Sequence, residues 1–167
     1  VLNWAPNCGD RCDFCLDHRP NLCETYVDTM NEGTMMNGST RLSKDGETIY
    51  RYSSLGCMIE YLVVDQDCCI PVSKDVPPEV AALIGCAVTT GVGAALNAVK
   101  IRPGDTVAIF GMGGVGLSTL LGAKLAGAGR VIAVDRSQSK KDLCMDLGAT
   151  DFVLANSAEE TVAAVQE

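Results

Sequence analysis

Val107 to Phe110 is a short, uniformly apolar run, the pattern of a parallel strand buried on both faces, and it stops at Gly111. A largely apolar stretch from about Val115 to Ala126 follows as a helix, and Val131 to Val134 reads as a second strand. Lys140 to Leu147 is helical in pattern, Gly148 caps it, Phe152 to Leu154 is strand-like, and Ser157 opens another helix. Strand and helix alternating from Thr106 onward predict a doubly wound parallel sheet with right-handed crossovers, three of whose strands are present.

The pattern differs upstream. Arg41 to Tyr52 reads as a hairpin, because Asp45-Gly46 supplies the positive φ angles of a tight turn between strand-like flanks. Ile59 to Val64 and Cys69 to Val72 continue the β character, predicting a mostly β module before residue 76. Glu24 to Gly38 shows no clear period and reads as loop with short strands. Val80 to Val99 carries no charge over 20 residues, long enough to raise a transmembrane reading. Gly85, Thr89, Thr90, Gly91, Gly93 and Asn97 interrupt it, so we expect two short buried helices, about 78–84 and 93–100, joined by a turn. Pro77 and Pro78 open the first, and Arg102-Pro103-Gly104-Asp105 turns the chain into the strand at Val107.

Gly111, Gly113 and Gly116 fit G-x-G-x-x-G, with Gly114 and Val115 inside the motif. The first glycine permits a tight turn, the second lets backbone approach a pyrophosphate, and the third lets helix pack on strand. The helix after the turn points free N–H groups and its positive dipole end at an anion, so no lysine is needed there. Asp135 closes the next strand 19 residues after Gly116, where a carboxylate accepts hydrogen bonds from adenosine ribose hydroxyls and repels a 2′-phosphate. NAD is favoured over NADP. Arg136 beside it either stacks on adenine or holds a phosphate, and the residues leave both open.

Nine cysteines are many for 167 residues, and Cys8, Cys12, Cys15 and Cys23 fall as C-x3-C-x2-C-x7-C. Four thiolates so close in sequence suit a tetrahedral Zn²⁺ that stabilises a small lobe and leaves no position for substrate. Disulfides compete less well, given the odd total and no export signal, and Cys12-x-x-Cys15 lacks the surroundings of a redox pair. His18 reads as a solvated loop residue. A formal net charge of −8 disfavours nucleic acid or an anionic membrane as the main partner. The chain opens on Val1 inside a strand-like phrase and ends within a helical one, and we read it as a fragment.

Three landmarks stand in one order: the cysteine quartet, LIGCAVTTGVGAALNAVKIRPGDTVAIFGMGGVG, and VIAVDRSQSKKDLCMDLGATDFV. Together they resemble the zinc-dependent medium-chain alcohol dehydrogenases, especially the branch of class I and class III enzymes, over nearly the whole chain. The resemblance implies an α/β fold: part of a GroES-like, β-rich catalytic domain with a zinc lobe (1–76), a helical junction (77–104), and a truncated Rossmann domain (105–167). It implies that Cys8, Cys12, Cys15 and Cys23 hold structural zinc and that Cys86 is one catalytic-zinc ligand, whose other reading is a buried small hydrophobe. The family's first gap is usually two residues, and Gly9-Asp10-Arg11 makes it three here. Thr90 is expected near the nicotinamide, Val115 behind its ring, and Lys140 at the ribose. Cys57, Cys68, Cys69 and Cys144 match no ligand and are expected to be buried.

The implied reaction is oxidation of an alcohol to an aldehyde or ketone with hydride transfer to NAD, in a cytoplasmic enzyme that is homo-oligomeric when intact. The family's two other catalytic ligands and its proton relay match nothing in this chain, so the chain alone is expected to turn over little. The competing reading is a non-catalytic, zinc-stabilised dinucleotide-binding module.

Overall fold

The computed structural model describes residues 1–167. They divide into two compact units, Val1–Gly85 and Cys86–Glu167.

The first unit holds helices α1 (Asp13–Leu16), α2 (Glu24–Glu32) and α3 (Pro78–Leu83), and a two-stranded hairpin, β1 (Ser43–Lys44) with β2 (Glu47–Thr48). The hairpin pairs Ser43 with Thr48 and Lys44 with Glu47, and Asp45 (φ 53°) and Gly46 (φ 85°) make the turn as expected. Other expectations here give way. Glu24–Glu32 is helical, closed by Gly33 in the left-handed region at φ 68°. Ile59 to Val64 forms no ladder, and Cys69 makes only an isolated bridge to Leu2. A strand persists only where a partner pairs its backbone groups. Buried Arg51 fixes these loops instead: its guanidinium donates to the carbonyls of Thr40 (2.6 Å), Ser54 (3.2 Å) and Val63 (2.5 Å).

The second unit holds α4 (Thr89–Gly93), β3 (Thr106–Phe110), α5 (Gly114–Leu125), β4 (Arg130–Asp135), α6 (Lys141–Leu147), β5 (Asp151–Leu154) and α7 (Ala158–Gln166). The three strands form a parallel sheet in the order β3-β4-β5, with Val107 opposite Val131 and Ala133 opposite Phe152. Ile109, Leu120, Ala123, Val131, Ala133 and Cys144 form its core. Gly148 (φ 110°) ends α6, and the Ser157 side chain caps α7 by accepting the Glu160 N–H at 3.2 Å. A bidentate Arg130–Asp151 pair, at 2.9 and 3.1 Å, ties the start of β4 to that of β5.

The stretch around Val80 to Val99 is not two helices with a turn. Helix runs unbroken from Pro78 to Val99, with π-helical turns at Ile84–Val88 and Ala94–Val99, and is long and apolar enough by length and composition to cross a membrane. Within it only Gly91 and Ala95 are buried. The glycines serve close approach rather than termination. A Cβ on Gly85 would meet the Leu2 carbonyl at 2.6 Å, and one on Gly91 would strike Ser118 and the Val115 carbonyl on α5. The left-handed Lys100 (φ 57°) ends the run.

Candidate cofactor site and thiol cluster

β3 delivers the chain to Gly111, whose φ of 90° makes the turn. A Cβ on Gly116 would overlap the Gly111 carbonyl oxygen, so no side chain fits there. Gly111, Gly113, Gly114 and Val115 are exposed, and a Cβ on Gly111 or Gly113 would meet nothing. Glycine is thus required at Gly111 by its φ and at Gly116 by contact, while Gly113 leaves an open face for a ligand. The first internal bond of this helix runs from the Leu117 N–H to the Gly113 carbonyl at 2.9 Å, so the N–H groups of Gly114, Val115 and Gly116 have no acceptor within α5.

Asp135 is buried at the end of β4 and points back into the turn. Its Oδ2 accepts the Met112 N–H at 2.7 Å and the Lys140 ammonium at 2.8 Å, and its Oδ1 accepts the Ser137 N–H at 2.9 Å. The Lys140 bond, then the Ser137 and Met112 N–H groups, hold its carboxyl down at about 2 against the cost of burial. A cavity of about 330 Å³ adjoins it, lined by Phe110, Gly111, Val134, Asp135, Arg136, Lys140 and Ala155. Arg136 is exposed at its rim. Sequence reasoning missed Met112, which is buried beneath the turn, and Ser137. Their signal was positional: one is the first x of the glycine motif, the other lies two residues past the acid. A larger cleft of about 610 Å³ beside Gly33 and Tyr52 contains none of the expected site residues.

The low Asp135 value has a consequence for stability. A carboxylate depressed on folding contributes stability in full above its unfolded value, about 4, and loses it as pH falls toward the folded value. Asp151, held at about 2 by Arg130 and Thr150, acts in the same window. Acid titration of denaturant midpoints should show no loss from these groups above about pH 4 and a decline below it, shallower in Asp135→Asn.

In the first unit, Cys8, Cys12, Cys15 and Cys23 are all buried, and their four Sγ atoms lie within 4.8 Å of one another. Cys12 and Cys15 lie at the start and within the single turn of α1, and Cys23 immediately precedes α2. The Cys8 N–H donates to Cys23 Sγ at 3.4 Å, and Cys8 and Cys15 Sγ stand 3.6 Å apart. Backbone N–H groups of Cys15 and Glu24 pull Cys12 down to about 7, whereas burial and the neighbouring sulfurs push Cys15 up to about 12. All four sulfurs converge on one point, as a tetrahedral thiolate site needs and as pairwise disulfides do not. With the three-residue first gap, the Cys8 sulfur still lies within this group. His18 is exposed.

Cys86 is exposed in the first π-helical turn, so its reading as a buried hydrophobe does not hold. The next residue, Ala87, lies 3.5 Å from where a Cβ on Gly114 would stand, which puts Cys86 one residue from the glycine turn's neighbour. Thr90 is exposed on α4. Cys68 and Cys144 are buried as expected, but Cys57 and Cys69 are exposed, because the loops around them make no ladder to cover them.

The second unit has the architecture of a dinucleotide-binding α/β domain, and the first that of a lobe built round four thiols. Residues 114–167 match the family model of zinc-binding dehydrogenases. Over 162 residues the chain is 39% identical to the class-3 alcohol dehydrogenase of Myxine glutinosa, covering 97% of this chain and 43% of that protein. It is 43% identical over 154 residues to the S-(hydroxymethyl)glutathione dehydrogenase of Saccharomyces cerevisiae, covering 92% and 40%. Among solved structures, benzyl alcohol dehydrogenase from Acinetobacter calcoaceticus superposes with a TM-score of 0.85 at 30% identity, over 99% of this chain and 44% of that one. The chain is thus similar to zinc-binding dehydrogenases over residues 114–167 and to these alcohol dehydrogenases over nearly all of its own length, and it spans less than half the length of these relatives.

Proposed function

We propose that the chain supplies the NAD-binding turn and a zinc-stapled lobe of an NAD-dependent alcohol dehydrogenase. The observation that carries this reading is the buried Asp135, aimed into the Gly111–Gly116 turn and flanked by Lys140 and Arg136. The N–H groups at the start of α5 hold the pyrophosphate, and Gly113 leaves room for it. Asp135 keeps an open lone pair on Oδ1 for a ribose hydroxyl, Lys140 contacts the same sugar, and Arg136 faces the adenine end. Val115 backs the nicotinamide and Thr90 borders it.

Cys8, Cys12, Cys15 and Cys23 hold one structural Zn²⁺, and Cys86 gives one thiolate to a second. Bound at that second site, zinc supplies the Lewis acidity that favours loss of the alcohol proton, while NAD supplies the hydride acceptor. The residues here set geometry: Asp135 and the glycine turn fix where the cofactor lies relative to Cys86. The substrate is a small alcohol or aldehyde, and the net charge of −8 argues against nucleic acid or an anionic membrane as partner. The whole protein is cytoplasmic and homo-oligomeric on this reading.

The test uses a chain of the relatives' full length that carries this segment. Alcohol-dependent formation of NADH should fall to background in Cys86→Ala while NADH binding is unchanged. Undiminished turnover in that variant would refute the role of Cys86.

A further inference from the structure

The enlarged first gap of the thiol cluster needs an explanation that the cysteines themselves do not give. Three residues, Gly9-Asp10-Arg11, separate Cys8 from Cys12. Two features absorb the additional length. Gly9 adopts φ 76°, and its N–H donates to Asn7 Oδ1 at 3.0 Å, which bends the chain sharply just after the first ligand. Arg11 then folds back, and its Nε donates to the carbonyl of Cys8 at 3.2 Å, spanning the turn from its far side.

That contact is selective. Asp10, Asp13 and Asp17 lie nearby in sequence, yet Arg11 forms no ion pair, whereas Arg19 pairs with Asp17 at 2.7 Å. An exposed arginine loses side-chain freedom when held in one place, and here that loss accompanies a turn closed across a ligand. The placement also matters electrostatically. Four thiolates about a Zn²⁺ carry a net charge of −2, and Arg11 brings a cation to the peptide of one of them.

We propose that Arg11 is a positioning residue of the thiol cluster, clamping the lengthened Cys8–Cys12 turn so that Cys8 stays within reach of a shared zinc ion. The inference rests on the structural-zinc reading of the quartet. Arg11 touches no sulfur in the structure, and acts through the Cys8 peptide.

The experiment measures zinc release to a coloured chelator, with the cobalt-substituted protein recorded in parallel for its thiolate-to-metal charge-transfer band. Arg11→Met should release zinc about tenfold faster than the unaltered chain, equivalent to about 1.4 kcal/mol. The cobalt band should persist, showing that four thiolates still converge. Deleting Asp10 in the Arg11→Met background restores a two-residue gap that needs no clamp, and should return release to the original rate.

Equal release rates for the unaltered chain and Arg11→Met would overturn the proposal while leaving the zinc site standing. Fast release that the deletion does not correct would also overturn it, since turn length would then not be what Arg11 compensates. An unaltered chain that takes up neither zinc nor cobalt refutes the zinc reading itself, and the clamp with it.

Discussion

Gly116→Val should cost the protein its dinucleotide affinity, by about a hundredfold or more, equivalent to about 2.8 kcal/mol. The reason is contact rather than propensity: any Cβ at Gly116 overlaps the Gly111 carbonyl oxygen, which is backbone and cannot swing aside. To relieve it the turn must open, which moves the N–H groups at the start of α5 away from the pyrophosphate and breaks the Met112 bond to Asp135. Overpacking a core alone costs about 1–3 kcal/mol, so some loss of stability accompanies the loss of binding. NADH fluorescence titration and thermal unfolding separate the two. Wild-type affinity in a folded Gly116→Val protein would be incompatible with the turn described above.

Removing zinc should unfold the first unit. Structural zinc in small peptides contributes an apparent 10–16 kcal/mol at about neutral pH, comparable to the whole stability of a domain. The apolar core here is thin: beyond the four cysteines the buried cluster contains only Tyr26, with Ala5, Phe14, Met30 and Met36 partly buried against it. Trp4, the single tryptophan, packs edge-on to Tyr26 at 5.8 Å and reports directly on this lobe. On addition of a strong chelator its emission should shift to that of solvated indole, and returning zinc should reverse the shift. Unchanged emission after verified removal of the metal would mean that the lobe stands without it.

The second unit was largely legible in the sequence because its signals are local. A buried parallel strand reads as an unbroken apolar run, and the glycine turn and closing acid sit at fixed offsets from it. Thr106–Phe110, Gly114–Leu125, Arg130–Asp135 and Asp151–Leu154 each fall within two residues of the expected bounds. The first unit was harder to read, and for two different reasons. Ile59 to Val64 has strand-like residues, but a strand is defined by its partner, and none pairs with it here. The helix at Glu24–Glu32 did carry a signal, since Cys23, Tyr26 and Met30 fall at helical spacing before Gly33, but its many polar residues obscured the period.

The glycines between Gly85 and Gly93 misled for a third reason. Their intrinsic cost to a helix is about 1 kcal/mol each, yet Gly91 permits a backbone approach to α5 that a larger residue would block. Packing thus overrode propensity. In the thiol cluster the spacing of cysteines pointed to convergence, but how the longer turn closes depended on the direction of one arginine side chain, which no spacing encodes.

On the proposed reading, Asp135, held ionised beside the glycine turn, receives the adenosine ribose of NAD. The most direct measurement compares the equilibrium affinities of NADH and NADPH for the unaltered chain and for Asp135→Ala. The unaltered chain should bind NADH at least about tenfold more tightly, a difference of about 1.4 kcal/mol. The variant should lose that preference, because Lys140 and Arg136 then face the 2′ position without a carboxylate between them. Equal affinity for the two cofactors in the unaltered chain, or a preference that survives the loss of Asp135, would contradict the assignment.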